Sequence, residues 1–169
     1  MSKKGIFYGS SSGNTQNVAG LIAAGLGIAE SDVFDVATAT SEKLLGYDVL
    51  LLGSSTLGYG DLQDDWETFI GKLEKTDLSG KKVAVFGTGD SSAYSDTFCD
   101  SIGLIAEAAE KAGATLVGAG IDASGYSFDD SKALKDGAFC GLPIDEDNEP
   151  AKTRERVEGW IERLKAEID

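Results

Sequence analysis

The chain has 169 residues, 41% of them hydrophobic, enough for one compact domain with a sizeable core. Its 29 acidic and 15 basic residues leave a net charge of −14, which disfavours nucleic acid and anionic membrane surfaces and favours a basic protein partner. Histidine is absent, which excludes Ser-His-Asp and Cys-His chemistry and removes the commonest metal ligand.

Cys99 and Cys140 stand far apart, with no CxxC and no ligand cluster around them, and read as packing residues in a reducing compartment. The opening MSKKGIF runs straight into a short apolar stretch and lacks a signal-peptide h-region. No apolar run approaches the length of a membrane span, so the expected location is the cytoplasm.

In chain order, Gly5 to Tyr8 has the pattern of a buried strand. GSSSGNT (Gly9 to Thr15) follows, and from Asn14 the residues Val18, Leu21, Ile22 and Leu26 recur at helical spacing. Val33 to Val36 reads as a second strand. Asp48 to Gly53 (DVLLLG) is apolar enough for a central parallel strand buried on both faces, and it leads into SSTLGYG. Trp66, Phe69, Ile70 and Leu73 mark a helix whose outer face carries Asp64, Asp65, Glu67 and Glu74. Lys82 to Phe86 is a fourth strand and ends in GTGDSSAYSD. Ile102, Ile105, Ala109 and Ala112 make another helical stripe, and Thr115 to Val117 begins a fifth strand. Val157, Trp160, Ile161, Leu164 and Ile168 form a final amphipathic helix.

Strands alternating with helices imply parallel βαβ units and a doubly wound α/β fold. Between Ala119 and Ala138 the pattern lapses into a glycine- and aspartate-rich stretch, read as an insertion within a single domain spanning 1–169. Gly118 to Ala123 (GAGIDA) imitates a dinucleotide fingerprint, but SGYSFDD stands where its helix should open. Gly87 to Ser92 is a similar partial match. Asp145, Asp147 and Glu149 imitate a calcium loop, with Pro150 replacing the required glycine. No metal site is expected.

In such a sheet, ligands bind at the carboxyl ends of the strands, where the winding reverses. Three loops leave those ends: Gly9 to Thr15, Ser54 to Gly60 and Gly87 to Asp96. The first offers hydroxyls, backbone N–H groups and a helix amino end to one point, a phosphate cradle without lysine, since Asn14 stands where a Walker motif needs one. It also reads as an ordinary serine-rich turn capping a helix. The other two loops carry Leu57, Tyr59 and Tyr94. Hydroxyls beside apolar and aromatic walls suit a flat, conjugated phosphoester such as riboflavin phosphate.

In the combination GSSSGNT, STLGYGDLQDDW, FGTGDSSAYSD and LPIDEDN, in that order, the chain resembles the long-chain flavodoxins over essentially its whole length. The resemblance implies a five-stranded parallel sheet of order 2-1-3-4-5, its last strand split by the insertion, and FMN between the loops after strands one and three, a placement for which flavodoxin is the worked example of the general rule. It implies that Ser10, Ser11, Ser12, Gly13, Asn14 and Thr15 bind the phosphate. Hydrogen bonds to a charged acceptor contribute roughly 1.5 to 3 kcal/mol each, so five or more offset the dianion's desolvation without a counter-ion.

By the same resemblance, Ser55, Thr56, Leu57, Gly58, Tyr59 and Gly60 form one wall of the flavin site and Thr88, Gly89, Asp90 and Tyr94 the other. Tyr94 is the outer stacking residue, and Leu57 fills the inner position where many members have tryptophan. Gly58 and Tyr59 lie where a turning peptide presents its carbonyl to reduced flavin N5, and glycine tolerates the positive φ this needs; an ordinary glycine turn is the competing reading. Cys99 stands near the pyrimidine edge, and Asp147 approaches the ribityl chain.

The function implied is a low-potential one-electron carrier, without substrate turnover of its own, that accumulates a blue semiquinone. Each negative charge at about 10 Å, with an effective dielectric near 40, opposes an anionic reduced flavin by roughly 0.8 kcal/mol. The implied partners are basic redox proteins such as a ferredoxin or flavodoxin reductase, met transiently by a monomer, with Asp64, Asp65, Glu67 and Asp96 steering them. Two alternatives share the architecture. An FMN-dependent NAD(P)H:quinone reductase would turn over two electrons rapidly. A phospho-accepting signalling domain needs an acidic cluster after the first strand and an aspartate after the third, and Gly9 to Ser12 and Gly53 to Leu57 contain neither.

Overall fold

The structure is a computed structural model that describes residues 2–168; Met1 and Asp169, the two ends of the expected domain, lie outside the described residues. Strand β1 (Lys4–Gly9) leads through the serine loop into helix α1 (Asn14–Leu26), and β2 (Val33–Asp35) returns to the sheet. Strand β3 (Val49–Leu57) runs four residues beyond Gly53, so Ser54, Ser55, Thr56 and Leu57 are strand and not loop. It folds back on the two-residue antiparallel β4 (Asp61–Leu62) before helix α2 (Asp64–Glu74). Strand β5 (Lys82–Thr88), helix α3 (Asp100–Lys111) and β6 (Thr115–Val117) follow. Beyond them come β7 (Ile121–Asp122), β8 (Leu134–Lys135), β9 (Ala138–Phe139), β10 (Leu142–Ile144) and helix α4 (Thr153–Ile168).

The sheet order is β10-β5-β3-β1-β2, all parallel, with β4 and β6 as additional partners of β3 and β5. Successive side chains on a strand point to opposite faces, and both faces here are covered. Phe7, Leu50, Leu52, Val83 and Val85 pack with Trp66, Phe69, Ile102 and Ile105 of α2 and α3. Ile6, Leu51, Ala84 and Phe86 face the other way, toward Val18 and Ile22 of α1 and Trp160 and Leu164 of α4. Leu50, Leu51 and Leu52 are wholly buried, each contributing about 1.5–3 kcal/mol of apolar burial, which explains why DVLLLG becomes the central strand.

Strand β6 lies beside the first half of β5, with Lys82 opposite Thr115, and β10 beside the second half, with Phe86 opposite Leu142. Between them the glycine- and aspartate-rich stretch is not irregular: β7, β9 and β8 form a small antiparallel sheet in that order. Its order comes from Phe98, Tyr126, Phe128 and Phe139, whose ring centroids lie 5.1–6.2 Å apart. The dinucleotide look-alike at Gly118 opens into β7 and a 3₁₀ turn (Ala123–Gly125). Among the described residues no helix is long and apolar enough to cross a membrane.

Register levels the carboxyl ends. Gly9 pairs with Ser54, Ser54 with Gly87, and Gly87 with Pro143, so the loops after four strands leave from one edge of the sheet. The chain winds from β1 outward to β2 on one side and to β3 on the other, which puts the switch point between β1 and β3.

Candidate functional site

At the end of β1 the cradle is built mainly by backbone. Ser10 Oγ accepts the Gly13 N–H at 3.0 Å, and Gly13, in the left-handed region at φ 95°, turns the chain into α1. The first helical bond, Asn17 N–H to Gly13 O at 3.0 Å, leaves the N–H groups of Asn14, Thr15 and Gln16 without intrahelical partners. No side chain caps this end and its first turn holds no acidic residue, so the positive end of the helix dipole is open to an anion. Thr15 is fully buried and shares a 2.9 Å hydrogen bond with Thr88 at the end of β5. That bond ties the first loop to the third.

The second loop is pinned from below. Thr56 Oγ1 donates to Ser101 Oγ at 2.9 Å, Ser101 Oγ donates to the Ser54 carbonyl at 3.1 Å, and the Gln63 N–H donates to Ser54 Oγ at 3.2 Å. Above these anchors the chain turns through Gly58 (φ 50°) and Gly60 (φ 100°). Gly60 lies against Asp100, whose Oδ2 would be 2.6 Å from an added Cβ. Burial raises the Asp100 carboxyl above its usual range although the Lys132 N–H, donating at 2.7 Å, opposes the rise.

The third loop is held by carboxylates. Asp90 Oδ1 accepts N–H groups of Ser92 and Ala93 at 3.0 and 2.9 Å and the Asn148 side-chain amide at 2.8 Å. The Ala93 N–H and then the Asn148 amide hold the Asp90 carboxyl below its ordinary value. Asp147, across the cavity, is pushed up by burial and then by the charges of Asp90, Asp145 and Glu146.

These loops enclose a cavity of about 230 Å³ lined by Ser12, Asn14, Ser55, Thr56, Leu57, Gly58, Thr88, Gly89, Asp90, Tyr94 and Asp147. Larger cavities lie elsewhere, about 410 Å³ around Tyr8 and about 340 Å³ beside Arg156, so size does not select the site. Its chemistry does. Ser55 Oγ is buried without a hydrogen-bond partner in the protein, a donor and acceptor left for a ligand. Hydroxyls, an open helix end and the half-exposed Tyr94 ring complete a site for an anionic group joined to a flat one.

Seven expected residues do not line the cavity. Ser10, Gly13 and Thr15 support the cradle through the bonds above, while Ser11 is exposed and accepts the Gln63 amide at 3.4 Å. Tyr59, 89% exposed, sits edge-to-face on Tyr94 with centroids 6.2 Å apart, and Gly60 is buried beneath the turn. Cys99 lies behind Gly89 with no exposed surface, in the left-handed region at φ 52°, and burial pushes its thiol well up. Sequence reasoning missed Gln63, Ser91, Ser101 and Asn148 as supports and saw Asp145 only as a calcium look-alike. LPIDEDN held a readable signal, a donor amide directly after three consecutive carboxylate residues, Asp145, Glu146 and Asp147, but its cross-loop partner Asp90 is distant in sequence.

Fold and site together define a doubly wound α/β protein with a neutral, helix-capped anion cradle at its switch point. The chain belongs to the flavodoxin family: the family model described as Flavodoxin matches residues 6–160. It is 48% identical to Flavodoxin 1 of Salmonella typhimurium over 169 residues, covering 99% of this chain and 96% of that one. Flavodoxin 1 of Escherichia coli K12 is 47% identical over the same coverage. The crystal structure of Fusobacterium nucleatum flavodoxin bound to flavin mononucleotide superposes with a TM-score of 0.90 at 28% identity, covering 100% of both chains.

Proposed function

We propose that this protein carries single electrons on non-covalently bound FMN between a reductase and acceptor redox enzymes. The observation that carries the reading is the convergence of the open α1 amino end, the unpartnered Ser55 hydroxyl and the Leu57 and Tyr94 walls on one cavity. Ser10, Ser11, Ser12, Gly13, Asn14 and Thr15 would hold the phosphate. Ser55, Thr56, Leu57, Gly58, Tyr59 and Gly60 would line one side of the ring system and Thr88, Gly89, Asp90 and Tyr94 the other, with Cys99 behind Gly89 and Asp147 toward the ribityl chain. Bound FMN supplies chemistry in which electrons pass one at a time. The chain's own part is to orient the ring, cover it and set the local charge.

Gly58 contributes backbone freedom: at φ 50° its peptide can turn its carbonyl toward a protonated ring nitrogen without a Cβ clash. The cradle contributes hydrogen bonds but no cation, so the phosphate's charge would stay to oppose reduction to an anion. Asp64, Glu67 and Asp96 are exposed and would steer a basic reductase, whereas the half-buried Asp65 is engaged by Gln63 Nε2 at 2.8 Å.

We assign the protein to the long-chain branch, because β6 and β10 share one edge of β5 around a stretch with its own sheet, as one strand interrupted by an insertion would. The two apolar layers on a common sheet support a single domain over 1–169. Among the described residues the large exposed hydrophobics are Leu45 and the Tyr59–Tyr94 pair at the cavity, too few for an extended apolar interface, which supports a monomer. The unpaired Cys99 and Cys140 support a cytoplasmic location.

The test is reconstitution of purified protein followed by stepwise reduction. One FMN per chain should bind, and reduction should resolve into two one-electron stages. A single two-electron stage with rapid NAD(P)H turnover would replace the carrier with a quinone reductase, and failure to take up FMN would overturn the reading entirely. Stopped-flow transfer from a basic reductase should slow steeply between low and physiological salt. A flat dependence would remove the steering role.

A further inference from the structure

We infer that Asn148 is the clasp of the cofactor site, a positioning residue whose amide joins the two loops walling the cavity and limits how fast bound FMN leaves. The inference rests on the FMN reading above. Asp90 and Asp147 both line the cavity, one from the loop after β5 and one from the loop after β10. Asn148 does not line it. It spans the loops from outside: Nδ2 is 2.8 Å from Asp90 Oδ1 in one, and 3.0 and 3.1 Å from the two carboxylate oxygens of Asp145 in the other.

Asp145 is the fixed end of this arrangement. It has no exposed surface, and it accepts the Ser91 hydroxyl, across the loops, and the Asn148 N–H at 3.1 Å within its own. The Gly89 N–H adds a backbone bond to the Ile144 carbonyl at 3.0 Å at the root of the two loops. Toward the tips, the contact between loops falls to Ser91 and Asn148. The amide there sits between two carboxylates that would otherwise repel each other, and a neutral donor converts that repulsion into two charge-assisted hydrogen bonds.

Asn148 is itself exposed and belongs to neither apolar layer. Its loss should therefore loosen the loops and leave the fold intact. A cradle built on a helix end needs no such link, so the effect should fall on departure of the ligand and not on its first capture.

The test measures FMN release, by recovery of flavin fluorescence on dilution into excess competing apoprotein, together with association rate and the thermal midpoint of each apoprotein. Asn148→Ala should release FMN at least about tenfold faster, the effect of one lost hydrogen bond to a charged acceptor. Its association rate should stay within about threefold and its apoprotein midpoint within about 2 °C, as for an exposed side chain. Asn148→Asp, which sets three carboxylates together, should release faster still. In an Asp90→Ala background, Asn148→Ala should add less than about threefold, because the 2.8 Å cross-loop bond is already gone and only the long 3.5 Å contact of Asn148 Nδ2 with Ser91 Oγ remains to be lost.

Release from Asn148→Ala at the wild-type rate, or a full tenfold addition in the Asp90→Ala background, would overturn the clasp while leaving FMN binding in place. So would faster release accompanied by a large fall in the apoprotein midpoint, which would mark Asn148 as a fold residue. Wild-type protein that takes up no FMN would overturn the underlying reading and the clasp with it.

Discussion

The two ends of the cavity are built on opposite principles. At the Gly9–Thr15 end, backbone does the holding: a left-handed Gly13, a helix amino end and one buried hydroxyl pair, with no formal charge in the loop. At the opposite end, side chains do the holding, and Asp90, Asp145, Asn148 and Ser91 form a charged lattice between two loops. A backbone cradle is rigid because its geometry follows from the helix that continues it. A side-chain lattice can open one bond at a time, which suits a wall that must admit a ligand. On the proposed function, one end would anchor the ligand and the other would cover it.

The sharpest way to break this contrast is to charge the cradle. Asn14→Asp places a carboxylate in the first turn of α1, about 4–5 Å from where an anion would sit, and two unit charges there repel by about 3–4 kcal/mol at an effective dielectric near 20. FMN affinity should fall at least about 100-fold, riboflavin affinity should stay within about threefold, and the apoprotein should melt about 1–3 °C higher as the helix dipole gains a partner. Fluorescence titrations and thermal melts decide it. Equal losses for FMN and riboflavin would mean that the loop does not read the phosphate.

Next in size is the joint between the ends. Thr88→Val leaves the Thr15 hydroxyl buried without its partner and should cost about 1–3 kcal/mol in urea denaturation. Replacing both threonines by valine should cost less than the sum of the single changes, since neither hydroxyl is then stranded. Additive losses would separate the two residues and undo the tie between the loops.

The smallest effect distinguishes two carboxylates of the charged wall. Asp147 has a raised pKa, so its ionised form is disfavoured in the folded apoprotein, and Asp147→Asn should raise the melting temperature at pH 7 by no more than about 2 °C. That gain should vanish as pH falls through the raised pKa toward 3.8, where wild-type Asp147 also becomes neutral. Asp90 has the opposite sign: its lowered pKa contributes stability that is present above its ordinary 3.8 and lost as pH falls through the folded value. Matched melts of Asp147→Asn and Asp90→Asn across acid pH should therefore diverge. Parallel curves would erase the difference between them.

Much of the architecture was legible in the chain. Leu50 to Leu52 and the helical spacing of Trp66, Phe69 and Leu73 specify burial directly, because apolar period and strand or helix geometry are the same information. The excursion after β6 was less so. Its strands are two residues long, too short for a period, and its order depends on Phe98 meeting Tyr126, Phe128 and Phe139 across the chain. Cys99 shows the same limit at the site: its position in the motif pointed toward the flavin edge, but its left-handed backbone and full burial place it behind Gly89.

What the residues determined by themselves is the parallel sheet, the order of its three loops and a lysine-free, serine-rich turn from Gly9 to Thr15 leading into a helix, because each depends on neighbours a few positions apart. Tertiary structure alone decided how those loops are tied to each other. Thr15 meets Thr88 across 73 positions and Asn148 meets Asp90 across 58, contacts for which no local pattern exists. They arise only because register levels the ends of β1, β3, β5 and β10 on one edge of the sheet.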